Sequence, residues 1–76
     1  MNISAYLQIV FDASHPKDMA TINDALFSAA RDPDVTDADV TYWTDQMSKT
    51  APRDVMSRVY LQWLQDLVAE RNVANA

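Results

Sequence analysis

The sequence has no glycine, no cysteine and no long apolar run in its 76 residues. Phosphate-cradling loops, dinucleotide fingerprints and nucleophile elbows all need glycine, because the backbone there must approach a ligand closely or adopt a positive φ. These three kinds of site are therefore excluded. Without cysteine, neither a disulfide framework nor a zinc site built from thiolates can form.

Targeting signals are also absent from the N-terminal stretch MNISAYLQIVFD. It has no basic residue before its apolar residues and no small-residue cleavage site after them, so it does not resemble a signal peptide. No segment approaches the roughly 18 apolar residues that a membrane-spanning helix requires. These features predict a cytoplasmic protein with no direct membrane contact.

The hydrophobic spacing predicts an all-α fold, a compact bundle of three or four helices that forms a single domain. Apolar residues recur at helical spacing over residues 16–31, 37–49 and 52–71. Pro16 and Pro52 suit the first turns of two of these helices, where a missing N–H costs nothing. Thr36 is expected to cap the third helix, with Asp39 completing a capping box. The tail, residues 72–76, is expected to be frayed.

The first segment, residues 3–12, is apolar on every face and could form a buried strand or a buried helix. No other segment offers a strand partner, so a helix capped by Asn2 or Ser4 is predicted. A strand at this position would instead indicate pairing with another chain.

The predicted centre of the bundle consists of eight apolar side chains: Leu7, Ile22, Leu26, Trp43, Met47, Val59, Trp63 and Leu67. Tyr60, Met19 and Met56 also fall on the apolar stripes and are assigned to the core. His15 is the only histidine. It is interpreted as an exposed turn residue, because a neighbouring carboxylate alone does not make a catalytic constellation.

Charge is concentrated in the segment RDPDVTDADVTYWTDQ, where five carboxylates lie between residues 32 and 45. Six acidic and six basic residues balance elsewhere, so this segment carries the entire formal charge of −5. A calcium loop would need glycine at its sixth position and glutamate at its twelfth. Registers beginning at Asp32 or Asp34 lack that pattern, so no metal and no cofactor are predicted.

Two compatible interpretations of these carboxylates remain. In the first, Asp37 and Asp39 stabilise the start of a helix through its dipole, and Asp32 and Asp34 flank Pro33 in a turn. In the second, they form a surface that binds a basic partner, with an exposed tyrosine as anchor. The candidate partner-binding residues are Asp32, Asp34, Asp37, Asp39, Tyr42 and Asp45. Their sign argues against direct contact with nucleic acid or an anionic membrane.

The stretch ALFSAARDPDVTDADVTYWTDQMSKTAPRDV resembles a short helical bacterial domain family of unknown function, related in pattern to phycobilisome linkers. The places that carry the resemblance are Leu26, Phe27, the Pro33-Asp34 turn, Tyr42, Trp43, Gln46, Met47 and residues 53–55. Family members usually carry glycines around the turn, whereas this chain has none. The resemblance implies a helical, non-enzymatic interaction module and transfers no catalytic residue.

Together these observations predict a protein-binding module rather than an enzyme. It would act as an adaptor, or as an inhibitor of the immunity or phage-encoded kind, by engaging a basic surface of a partner protein. The alternative is a structural or homo-oligomerising module that uses the apolar face around Tyr60 and Trp63. A domain of about this size has a small core, so a homodimer or a bound partner would add stability.

Overall fold

The computed structural model describes residues 1–74 and shows an all-α fold of four helices in that part of the chain. They are α1 (Ile3–Ala13), α2 (Met19–Arg31), α3 (Asp37–Thr50) and α4 (Val55–Ala74). The radius of gyration is 11.8 Å, close to the roughly 11.4 Å expected of a globular chain of this length. The predicted bundle and the helical first segment are confirmed.

Helix α2 packs between α1 and α4, and α3 packs on the other side of α4. The core that they enclose is built mainly from side chains of α2 and α4, with further buried side chains from α1, the α2–α3 loop and α3. Its fully buried members are Val10, Ile22, Leu26, Val35, Val40, Leu61, Leu64 and Val68. Alanines at positions 25, 29 and 30 lie on the buried side of α2, and their small side chains let neighbouring helices approach closely.

Side-chain caps define where the helices begin. The Asn2 side chain accepts a bond from the Ser4 N–H at 3.0 Å, as one of the two predicted caps. The capping box at Thr36 is confirmed, with both of its reciprocal bonds at 3.2 Å. Each bond satisfies a backbone donor that the first turn of a helix would leave unpaired.

Two helices begin three residues later than predicted. Asp18 caps α2 by accepting bonds from the Thr21 N–H and hydroxyl, and Asp54 accepts the equivalent pair from Ser57 at the start of α4. Pro16 and Pro52 therefore lie in the preceding turns, not in the first helical turns. A carboxylate is a stronger N-cap than the residues before either proline, and it sets the boundary.

Helix α3 ends one residue past its predicted end, and α4 continues three residues past Arg71 to Ala74. The frayed tail predicted for residues 72–76 is wrong for residues 72–74; the other two lie outside the described residues. The last turns of α4 are held by long-range contacts. The Asn72 amide donates to Asp37 at 2.6 Å, and the Arg71 guanidinium donates to the carbonyls of Ala30 and Asp32 at 3.2 and 3.0 Å.

The core predictions for α4 are partly wrong. Tyr60 is buried as predicted, and Trp63 and Leu67 pack at the edge of the core. Val59, however, is 47% exposed, and Leu61 and Leu64 occupy the centre instead. Apolar residues cover more than half of the circumference of α4, so the period alone could not show which part faces α2 and α3.

Elsewhere the predicted centre agrees with the structure. Leu7, Ile22 and Leu26 are buried, and Trp43 and Met47 are partly buried against the core. Met19 and Met56 were assigned to the core, but both are exposed. Met19 begins α2, and Met56 lies in the first turn of α4.

Candidate partner-binding surface

The acidic segment begins in the loop between α2 and α3 and continues along α3. Val35 is fully buried and anchors the loop to the core, while the capping box starts α3 directly after it. The loop and the helix hold the carboxylates in different surroundings. The carboxylates divide into those that stabilise the fold and those that remain open to solvent.

Asp32 belongs to the first group. Its Oδ2 accepts bonds from the N-terminal amine of Met1 and from the Tyr6 hydroxyl, both at 2.7 Å. Its Oδ1 accepts the Asp34 N–H at 2.9 Å. These donors favour the charged carboxylate and lower the pKa of Asp32 to about 2, with the bond from the amine as the largest cause. The same contacts raise the pKa of the amine and of Tyr6.

Asp39 also serves the fold, because its carboxylate accepts the Thr36 N–H in the capping box. The interpretation of this segment as a helix start therefore accounts for Asp39. Asp32 instead accepts bonds from the N-terminus, from α1 and within its own turn. The sequence signal for Asp39 was its spacing from Thr36, whereas nothing local indicated that Tyr6 or Met1 would contact Asp32.

Asp34, Asp37 and Asp45 remain open to solvent. Asp34 is 74% exposed and lies 3.4 Å from the Met1 amine, Asp37 accepts only from the neutral Asn72 amide, and Asp45 forms an exposed ion pair with Lys49 at 2.9 Å. Exposed pairs of this kind contribute little to stability, since water solvates both partners well. These three carboxylates keep their charge available at the surface.

Tyr42 lies on the solvent side of α3, as predicted. It is 57% exposed, while Trp43 next to it packs against the core. The two rings meet edge to face, with centroids 5.6 Å apart. This contact limits the rotation of Tyr42, so little conformational entropy would be lost when a partner covers it. We refer to Asp34, Asp37, Tyr42 and Asp45 as the acidic face.

A second exposed surface lies on α4, where the sequence predicted core. Val55, Met56 and Val59 are each about half exposed. Trp63 continues this stripe and meets Phe27 of α2 edge to face, with ring centroids 5.9 Å apart. We call these five residues the apolar side. The sequence assigned this role to Tyr60 and Trp63, but Tyr60 is buried and offers almost no surface for a protein partner to cover.

His15 is exposed in the turn between α1 and α2, as predicted. Within residues 1–74, no group of three or more acidic or histidine side chains is arranged to hold a metal ion. None of the helices described there has the length and apolar character needed to cross a membrane.

The geometry defines the chain as a small helical domain with an acidic face on one helix and an apolar side on another. Searches of protein-family models, curated proteins and solved structures find no match to this chain. The resemblance to the bacterial domain family therefore stays a prediction.

Proposed function

We propose that this domain is a protein-binding module that engages a basic surface of a partner protein through the acidic face. The supporting observation is that Tyr42 is exposed on the helix that also carries the exposed carboxylates of Asp37 and Asp45. It acts as an adaptor, or as an inhibitor that covers a basic site, and performs no catalysis itself. We place this activity in the cytoplasm.

The division among the carboxylates sharpens the set that the sequence suggested. Asp32 and Asp39 are occupied by internal donors, so they position the surface and do not contact the partner. Asp34, Asp37 and Asp45 supply the field that attracts a basic protein. Such charges mainly raise the association rate and select the partner, and their effect falls as salt screens them.

Tyr42 supplies the contact that charge alone does not. An aromatic ring contributes binding energy by excluding water, and its hydroxyl can still donate or accept a hydrogen bond at the rim. Lys49 pairs with Asp45 one turn beyond Tyr42. An arginine of the partner could replace Lys49 there, because its planar fork binds a carboxylate through two parallel hydrogen bonds.

The test is affinity capture from a lysate of the source organism or its host, with elution by rising salt. The diagnostic variant is Asp34→Asn/Asp37→Asn/Asp45→Asn, which leaves Asp32 and Asp39 in place and so preserves their internal bonds. A separate variant, Tyr42→Ala, removes the ring without changing charge. Captured proteins are identified by mass spectrometry.

The matched control carries the same charge change on other helices, as Asp12→Asn/Asp24→Asn/Asp66→Asn. We expect a stoichiometric basic partner that salt releases from the wild type and the control. The diagnostic variant and Tyr42→Ala should both lose it. Retention of that partner by the diagnostic variant would exclude the acidic face as its binding site. If the control loses the partner equally, overall net charge and not the acidic face is responsible for binding.

The second candidate function is self-association through the apolar side. The observation that favours it is the half-exposed run of Val55, Met56 and Val59, which costs free energy while it faces water. Sedimentation velocity over a range of concentrations tests this directly. We expect Val59→Lys to shift a dimer towards monomer with little dependence on salt, and a wild-type chain that stays monomeric throughout would exclude the idea.

A further inference from the structure

A surface pocket lies where the α1–α2 turn meets the start of α4. Its cavity volume is about 310 Å³, at the lower end of the range of about 300 to 1,000 Å³ found for small-molecule sites. The turn contributes Ser14, His15 and Lys17 to its walls, and the other wall comes from residues 53–56 and Tyr60. None of these residues belongs to the acidic face.

The pocket gathers positive charge in a chain whose formal charge is −5. The whole sequence has six lysines and arginines and one histidine, and three of these seven groups, His15, Lys17 and Arg53, line this one cavity. Within residues 1–74, neither Lys17 nor Arg53 forms an ion pair. Both cationic side chains are therefore available to a ligand.

One carboxylate, Asp54, also lines the pocket. Both of its oxygens accept bonds from Ser57, at 3.0 and 2.7 Å. Those bonds lower the pKa of Asp54, and the nearby positive charges of His15 and Arg58 add to the effect. Asp54 therefore stays charged but is occupied by the helix start, and it leaves a surplus of positive charge in the pocket.

Tyr60 provides the second, independent observation. Its side chain is 3% exposed and lines the pocket, yet its hydroxyl has no hydrogen-bond partner within residues 1–74. In that part of the chain, only Asn23 Oδ1 is both sealed from solvent and unpaired. The Tyr60 hydroxyl is unpaired but not sealed, so it keeps contact with solvent. The pocket that Tyr60 lines is the opening through which solvent reaches it. Buried tyrosines ordinarily find a partner for this group.

We propose that this pocket binds a small organic acid, whose carboxylate lies between Lys17 and Arg53 and accepts a hydrogen bond from the Tyr60 hydroxyl. Val55, Met56 and the Tyr60 ring supply an apolar wall for a short hydrocarbon body. Charge-assisted bonds from an ammonium and a guanidinium hold the anion. The apolar wall distinguishes an organic acid from an inorganic anion.

The experiment is a titration of the ¹⁵N-labelled chain followed by amide chemical shifts. The probe is hexanoate, and 1-hexanol is the matched neutral probe with the same apolar body. Inorganic phosphate is the anion without a body. We expect saturable shifts from hexanoate at the amides of Ser14, His15 and Lys17 and of residues 53–56. 1-Hexanol lacks the carboxylate and phosphate lacks the apolar body. Each should therefore bind at least about tenfold more weakly than hexanoate.

Two variants test the assigned groups. Lys17→Gln/Arg53→Gln removes both cations from exposed positions, and its matched control, Arg31→Gln/Lys49→Gln, removes the same charge away from the pocket. Tyr60→Phe removes the hydroxyl and keeps the ring. We expect Lys17→Gln/Arg53→Gln to lower the affinity for hexanoate at least about tenfold. Tyr60→Phe should lower that affinity about threefold to tenfold. The control should bind hexanoate as the wild type does.

Three results would overturn the proposal. The first is the absence of a saturable shift from hexanoate at the pocket. The second is a control pair that weakens hexanoate binding as much as the pocket pair does. The third is tighter binding of phosphate than of hexanoate. Circular dichroism of each variant shows whether the helices are retained. If Tyr60→Phe does not fold, the lysine–arginine pair and its control decide the result, because all four of those side chains lie outside the core.

Discussion

Arg71 is the best place to test how the fourth helix supports the acidic segment. Its guanidinium donates to the carbonyl of Ala30, which the end of α2 leaves unpaired, and to the carbonyl of Asp32, which also accepts the Val35 N–H. Each bond from a charged donor contributes about 1.5 to 3 kcal/mol when buried, and the dipole of α2 adds about 0.3 to 1 kcal/mol. Because Arg71 is half-buried, water screens both bonds, and we take about 1 kcal/mol for each of them.

Arg71→Gln should therefore lower the free energy of unfolding by about 2 kcal/mol. A domain of this size has about 3 to 5 kcal/mol in total, so the loss is large. Urea unfolding followed by far-ultraviolet circular dichroism measures it. With a slope of about 1 kcal/mol per molar urea, the midpoint should fall by about 2 M. Arg71→Lys keeps the charge but loses the planar guanidinium. Its urea midpoint should therefore lie between those of the wild type and Arg71→Gln.

Arg31→Gln is the matched control. Arg31 is the last residue of α2 and is exposed, so it interacts with the same helix dipole without the two carbonyl bonds. We expect it to cost only about 0.3 to 1 kcal/mol. If Arg71→Gln moves the midpoint no further than Arg31→Gln, the carbonyl contacts add nothing and the reasoning is refuted.

Three further predictions concern stability. Asp32 has a pKa of about 2 in the folded state against an ordinary 3.8. Its carboxylate therefore stabilises the fold above about pH 4, and this stabilisation is lost as pH falls towards 2. In thermal melts, Asp32→Asn should lose less stability on acidification than the wild type does. Leu64→Ala should cost about 3 kcal/mol in urea unfolding, whereas Val59→Ala should cost under about 0.5 kcal/mol, and equal costs would contradict the observed burial. Thr36→Ala should cost about 1 kcal/mol by breaking the capping box, with Thr41→Ala as the exposed control on the same helix.

Much of the fold followed from local chemistry. The capping box at Thr36 was predictable because its two bonds join residues three apart, and the outward position of Tyr42 followed from its angle to Trp43 on a helix. The composition also excluded glycine-dependent sites without any structure. The helix starts predicted at Pro16 and Pro52 were wrong because Asp18 and Asp54, which follow these prolines, are better N-caps.

The sequence by itself determined the helical class, a bundle of three or four helices and the concentration of charge between residues 32 and 45, because these depend on neighbouring residues. Only the tertiary structure decided which carboxylates serve the fold and which apolar stripe of α4 is buried. Asp32 is bonded to Met1 and Tyr6, which are 31 and 26 residues away in the sequence. Val59 and Leu61 are both apolar, but only Leu61 lies on the side of α4 that packs against the core. Such outcomes depend on how helices pack, and no local pattern records that packing.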